Sequence, residues 1–189
     1  MQKILQHNQN AVHRRTPFDL LSVKPAYLLD WCLLDHNLAA LQETLHPDLY
    51  PNGSQERDIA DSMSSAINNA YAILKDPIQR ARALLSLSNI SIPGENGKTI
   101  NEPELMEEAL SLKELLEEAT IKNDFDTLLQ TLSAKQCILE DQFNSAFLTN
   151  NKIGMQNAYV QLSFCIKTLN DAKNLCFKSM EKLNVAPTH

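Results

Sequence analysis

Apolar residues recur at steps of three and four along most of this chain, the spacing that gathers them on one side of a helix. Pro17 to Leu21 reads as a short apolar turn. Asp30 is placed to cap a helix in which Leu34, Leu38, Leu41 and Leu45 form the buried stripe, and LHPDLYPNGS then concentrates Pro47, Pro51 and Gly53, which interrupt helix. Ser54 or Gln55 opens a second helix with Ile59, Met63, Ile67, Ala70 and Leu74 facing inward. Asp76-Pro77 stops it, and IQRARALLSL continues as a short helix. Each of the two longer helices has one apolar face to hide, so the pair is expected to pack antiparallel across a loop of about ten residues.

Asn89 to Asn101, with Pro93, Gly94, Gly97 and polar neighbours, reads as a linker and places a domain boundary there. Beyond it the pattern predicts three long helices. The first, from Glu102 to about Asn123, carries Leu105, Ala109, Leu112, Leu116 and Ala119. The second, capped by Asp124 and running to about Asn150, carries Phe125, Leu129, Leu132, Leu139, Phe143 and Phe147. The third, from about Lys152 to Leu183, carries Met155, Tyr159, Leu162, Ile166, Leu169, Cys176, Met180 and Leu183. Short connections make this an up-down-up bundle. The expected layout is therefore all-α: an arm over residues 1–16, a helical hairpin domain over 17–88, a linker over 89–101 and a three-helix bundle over 102–185.

Composition narrows the function classes. With 189 residues, 43% hydrophobic and 21% charged, the chain falls among soluble globular proteins, and the stretch from Glu104 to Ala186 has no Pro and one Gly, Gly154. A Rossmann domain or β-sandwich is disfavoured. The formal net charge of −6 argues against binding nucleic acid by neutralising phosphates. Charge is uneven: through Ser88 there are 8 Lys and Arg against 9 Asp and Glu, and from Asn89 onward 9 against 14, with seven Glu and one Lys between Asn101 and Ala119. Cys32, Cys137, Cys165 and Cys176 form no CxxC pair, and Cys165 and Cys176 on one helix would lie about 16 Å apart, too far to share a metal or a disulfide. Reduced cysteines and no stoichiometric metal or cofactor are expected. The first sixteen residues lack an apolar signal core, no run reaches transmembrane length, and a Gly-rich phosphate loop is missing. The expectation from these features is a reducing compartment and not a membrane: bacterial cytoplasm, with the mitochondrial matrix as the alternative.

His46-Pro47-Asp48 sits at the tip of the predicted hairpin, where loop residues meet a partner without disturbing the core. At this point the chain resembles a J domain: PFDLLSV from Pro17, the helix ending in LHPD, and INNAYAILKDPIQRARALLSL from Ile67 to Leu87. The last run is similar to the HscB branch of J proteins, co-chaperones of iron–sulfur cluster assembly, whose layout of J domain, linker and three-helix bundle matches the one read above from periodicity. The resemblance implies that His46, Pro47 and Asp48 bind a DnaK-class chaperone of the HscA type and stimulate its ATP hydrolysis. It also implies that the bundle holds an iron–sulfur cluster scaffold protein of the IscU type. Asp48 is suited to a charge-assisted hydrogen bond with a partner arginine, and catalysis stays with the chaperone. The segment from Asp35 to Leu45 has Asp35 and Glu43 but no Lys or Arg, unlike most J domains. Arg57, Lys75, Arg80 and Arg82 are left as basic groups for docking.

The scaffold-binding run of that family resembles LMEEALSLKELLEE, Leu105 to Glu118. Independently, at about 100° per residue, Met106, Leu110, Lys113, Glu114 and Glu117 share a strip roughly 120° from the core stripe. Phe164 lies opposite the stripe of Leu162, Ile166 and Leu169 and matches an aromatic position of the family. The scaffold-binding set is thus Leu105, Met106, Leu110, Glu114, Glu117 and Phe164. The reading that results is a non-enzymatic co-chaperone; the alternative is a general J protein serving unfolded clients, which would need a broad apolar client surface.

Overall fold

The computed structural model describes residues 15–92 and 103–184, without the side chains of Pro47 and residues 182–184. Most of the expected arm and linker, and the side chain of Leu183, lie outside the described residues. Among the described residues all regular structure is helical, in two compact units that meet in sequence at Leu87 and Ser88.

In the first unit α1 (Pro17–Leu20) starts at Thr16 rather than in a loose arm. Thr16 Oγ1 accepts from the Asp19 amide at 3.2 Å, and the Asp19 carboxylate accepts from the Thr16 hydroxyl at 2.7 Å and the Thr16 amide at 3.0 Å; these two donors, the hydroxyl foremost, hold the Asp19 carboxyl below its ordinary value. Phe18 and Leu21 are thereby fully buried where α1 meets α3. Asp30 caps α2 (Trp31–Thr44) by accepting from the Leu33 amide at 3.1 Å, and Ser54 caps α3 (Gln55–Lys75) through the Arg57 amide at 3.2 Å. All five predicted α3 stripe residues are buried, whereas on α2 only Leu34 is, with Leu38, Leu41 and Leu45 half-buried. Two bonds fix the antiparallel register: the Tyr71 hydroxyl donates to Asp35 at 2.7 Å, and Gln42 Nε2 donates to Asn68 at 2.9 Å.

Helix α4 (Pro77–Leu87) follows the Asp76 turn and buries Ala81, Leu84 and Leu85. It also buries Arg80, 4% exposed, whose Nη1 donates to the Leu74 carbonyl at 2.7 Å and whose guanidinium lies 4.6 Å above the Tyr27 ring. Arg80 is therefore a core residue and not a docking cation; the planar guanidinium closes the end of α3 while stacking on an aromatic face.

In the second unit α5 (Pro103–Lys122), α6 (Phe125–Leu148) and α7 (Lys152–Asn184) all pack on one another. Leu105, Leu112 and Ala119 of α5 meet Phe125, Leu128, Leu132, Leu139 and Phe143 of α6 and Met155, Leu162, Cys165 and Leu169 of α7 in the core. Lys135 pairs with Glu108 at 2.6 Å between α6 and α5, and the Cys165 thiol donates to the Leu132 carbonyl at 3.4 Å between α7 and α6.

The α7 stripe differs from expectation. Tyr159 and Ile166 are half-buried and Met180 is 55% exposed, while Ala158, Val160, Cys165 and Ala172 are buried. A helix that serves two neighbours buries a wide face, and small residues fill its closest approaches. Val160 is buried on a separate flank, one turn from Gln156, whose Nε2 donates to the Ser91 carbonyl at 2.9 Å; residues read as linker start thus lie along α7. Three helix ends turn on an asparagine in the left-handed region: Asn89, Asn123 and Asn150, at φ 53°, 54° and 53°.

Candidate functional site

The tip of the α2–α3 hairpin is a single 3-10 turn, Pro47–Leu49. Its proline-initiated backbone closes with the Leu49 amide donating to the His46 carbonyl at 3.0 Å, and the Asp48 amide donates to His46 Nδ1 at 3.3 Å. On the α2 side the Tyr50 hydroxyl donates to the Thr44 carbonyl at 3.2 Å. On the α3 side the chain reverses through Gly53 at φ +76°, a conformation glycine adopts without steric penalty. The Tyr50 bond on one side and the Gly53 reversal on the other set the turn at the hairpin tip, where Asp48 projects with 75% of its side chain exposed and His46 with 59%.

The Asp48 carboxylate stands between two nitrogen groups. His46 Nδ1 is 3.6 Å from Oδ2, and Arg57 Nη2 is 3.6 Å from Oδ1. Both separations exceed hydrogen-bond length, so each oxygen keeps lone pairs for an external donor such as a guanidinium. Beside it Leu49 is 63% exposed. Sequence reasoning gave Arg57 a docking role and missed its place beneath the turn. Its register three residues after the Ser54 cap places it in the first turn of α3, but only closure of the intervening loop brings it to Asp48. Lys75 is likewise engaged within the hairpin, 4.0 Å from Asp35 and 4.8 Å above the Trp31 ring.

On α5 the structure divides the sequence-predicted set. Leu105 is 5% exposed and faces the core, so it fixes the register of the helix and is not a contact residue. Met106 and Leu110 are 59% and 57% exposed, and Glu114 and Glu117 are exposed on the same strip. Lys113 pairs with Glu117 at 3.8 Å, which leaves Glu114 beside two apolar side chains. Phe164 is half-buried on α7. It belongs to the same unit as Met106 and Leu110. None of this resembles a reactive centre, and among the described residues no three His, Cys, Asp or Glu side chains gather as a metal site.

No protein-family profile matches the chain. The Vibrio vulnificus co-chaperone protein HscB homolog is 35% identical over 119 residues, covering 62% of this chain and 69% of that protein. The mouse iron–sulfur cluster co-chaperone protein HscB is 32% identical over 135 residues, covering 70% of this chain and 57% of its own. Among solved structures, chaperone HscB from Vibrio cholerae superposes with a TM-score of 0.71 at 27% identity, over 85% of this chain and 97% of that one. The human co-chaperone protein HscB superposes with a TM-score of 0.76 at 25% identity, over 85% and 81%.

Proposed function

Because the chain belongs to the HscB family of iron–sulfur cluster co-chaperones, we propose that it delivers a cluster scaffold protein of the IscU type to a DnaK-class chaperone of the HscA type and stimulates that chaperone's ATP hydrolysis. The observation that carries this reading is the exposed Asp48 carboxylate on a hydrogen-bonded turn, with both oxygens open to a partner's guanidinium. A buried or fully bonded aspartate could not make that contact. Charge-assisted hydrogen bonds of this kind are short and directional, so one carboxylate is enough to bias an arginine on the chaperone.

The scaffold binds the α5 strip, where Met106 and Leu110 supply apolar contact and Glu114 and Glu117 supply charge, with Phe164 as a further contact on α7. Holding scaffold and chaperone on one chain turns their meeting into a local event and raises their effective concentration. Catalysis remains with the chaperone. The strip presents two apolar side chains among acids, which suits one folded partner better than the broad apolar surface a general client-binding J protein requires.

The test is ATP turnover by the cognate chaperone as the protein is titrated in, with and without scaffold. Asp48→Asn is expected to abolish the stimulation while scaffold binding stays intact. Undiminished stimulation by this variant overturns the reading; equal loss of both activities marks a folding defect.

A further inference from the structure

From the environment of Asp48 we infer that Arg57 is a positioning residue for the chaperone-stimulating turn, aligning the aspartate before the partner arrives; this rests on the function proposed above. Arg57 lies in the first turn of α3, where its amide donates to Ser54 Oγ. Its Nη1 donates to Asn52 Oδ1, and its Nη2 faces Asp48 Oδ1 at 3.6 Å. One guanidinium therefore spans the loop, bound to its middle and beside its functional carboxylate. Its side chain is 29% exposed, against 75% for Asp48, so it supports the turn from beneath while the aspartate points outward.

Two physical effects compete. A neighbouring cation limits the orientations of an exposed aspartate and so lowers the entropy lost when a partner binds. The same cation also competes with a partner arginine for the carboxylate. The distance decides between them. At 3.6 Å no hydrogen bond has to break, and the pair is of the weak, solvent-screened kind, whereas an incoming guanidinium gains short charge-assisted bonds. His46 Nδ1, which accepts from the Asp48 amide, stands 3.6 Å from the other oxygen and donates nothing to it, so that oxygen also stays open to the partner.

Arg57 thus has a role distinct from docking, and the distinction is testable with variants that keep its aliphatic stem. Arg57→Met is expected to raise the concentration for half-maximal ATPase stimulation roughly two- to fivefold, the range an exposed charge pair spans. Arg57→Lys should recover at least half of that loss. The ratio of Arg57→Met to unmodified protein should shrink as salt is raised, because the interaction removed is electrostatic. Stimulation by Arg57→Met equal to or better than that of the unmodified protein overturns the inference, as does a deficit that persists unchanged at high salt, which would assign Arg57 to packing. Asp48→Asn measured in parallel separates the layers: if it stimulates normally, the functional reading itself falls and this role with it.

Discussion

The Tyr71 hydroxyl reaches across 36 positions of sequence to donate to the Asp35 carboxylate at 2.7 Å, and Lys75 approaches the same oxygen at 4.0 Å. The bond ties α2 to α3 at the end of the hairpin away from the functional turn. The alignment of the two helices, and so the placement of His46 to Asp48, depends in part on it. Replacing Tyr71 by Phe removes one hydrogen bond to a charged, partly exposed acceptor. Urea unfolding followed by the single tryptophan, Trp31, should show a loss of about 1 kcal/mol in the first unit.

Leu105 and Met106 are neighbours in sequence with opposite fates, one 5% exposed and the other 59%. Leu105→Ala should destabilise the bundle by ~2–5 kcal/mol through the cavity it leaves. Met106→Ala should change stability by no more than ~0.5 kcal/mol and weaken scaffold binding about tenfold. Hydrogen exchange of the bundle amides and calorimetric titration with the scaffold read the two effects separately.

For Arg80 the expected loss is structural. Truncation to Ala abandons the Leu74 carbonyl and the Tyr27 ring face, and should destabilise the first unit by ~2–4 kcal/mol. Arg80→Lys should fail to restore most of it, because an ammonium cannot both stack flat and reach the carbonyl. Trp31, whose ring lies 5.3 Å from the same guanidinium, reports the change by fluorescence.

Cys165 offers a different probe. Burial pushes its thiol above the ordinary value of 9.0, with Glu108 adding to the shift and Lys135 opposing it. The folded protein therefore holds less thiolate there at any given pH than an exposed cysteine does, and access is closed as well. At pH 8, Cys32 and Cys137, both exposed, should alkylate at least about a hundredfold faster than Cys165, whose reaction waits on opening of the bundle. Peptide mass spectrometry over a time course distinguishes the sites.

Much of this architecture was legible from periodicity because α3 and α5 each bury one face along their length. Ile59, Met63, Ile67, Ala70 and Leu74 needed no tertiary knowledge to be placed inward. Periodicity failed where burial depends on what lies across the interface. Val160 is covered on a flank outside the stripe, and Met180 stands exposed although it continues the stripe in sequence. Charge misled in the same way. Arg80 looks like a surface cation until Tyr27, 53 positions earlier, supplies a ring beneath it. At the candidate site the motif His46-Pro47-Asp48 could be read directly, but the arginine beneath it could not, since loop closure rather than spacing brings Arg57 to Asp48. The exposed strip of Met106 and Leu110 was foreseeable from helical angles; so was the inward turn of Leu105, which periodicity put on the core stripe and only the resemblance grouped with the binding residues.

The asparagines at φ near 53° have a consequence for the chain before it folds. Asn89, Asn123 and Asn150 reverse direction where glycine is the commonest choice, and each accepts a small steric penalty to do so. In exchange the denatured ensemble explores fewer conformations at these three corners than a glycine-cornered chain would, and less disorder is surrendered when the corners form. Exchanging all three for glycine would ease the corners while enlarging the denatured ensemble, two effects of opposite sign that leave the helices where they are and shift only the balance between folded and unfolded forms.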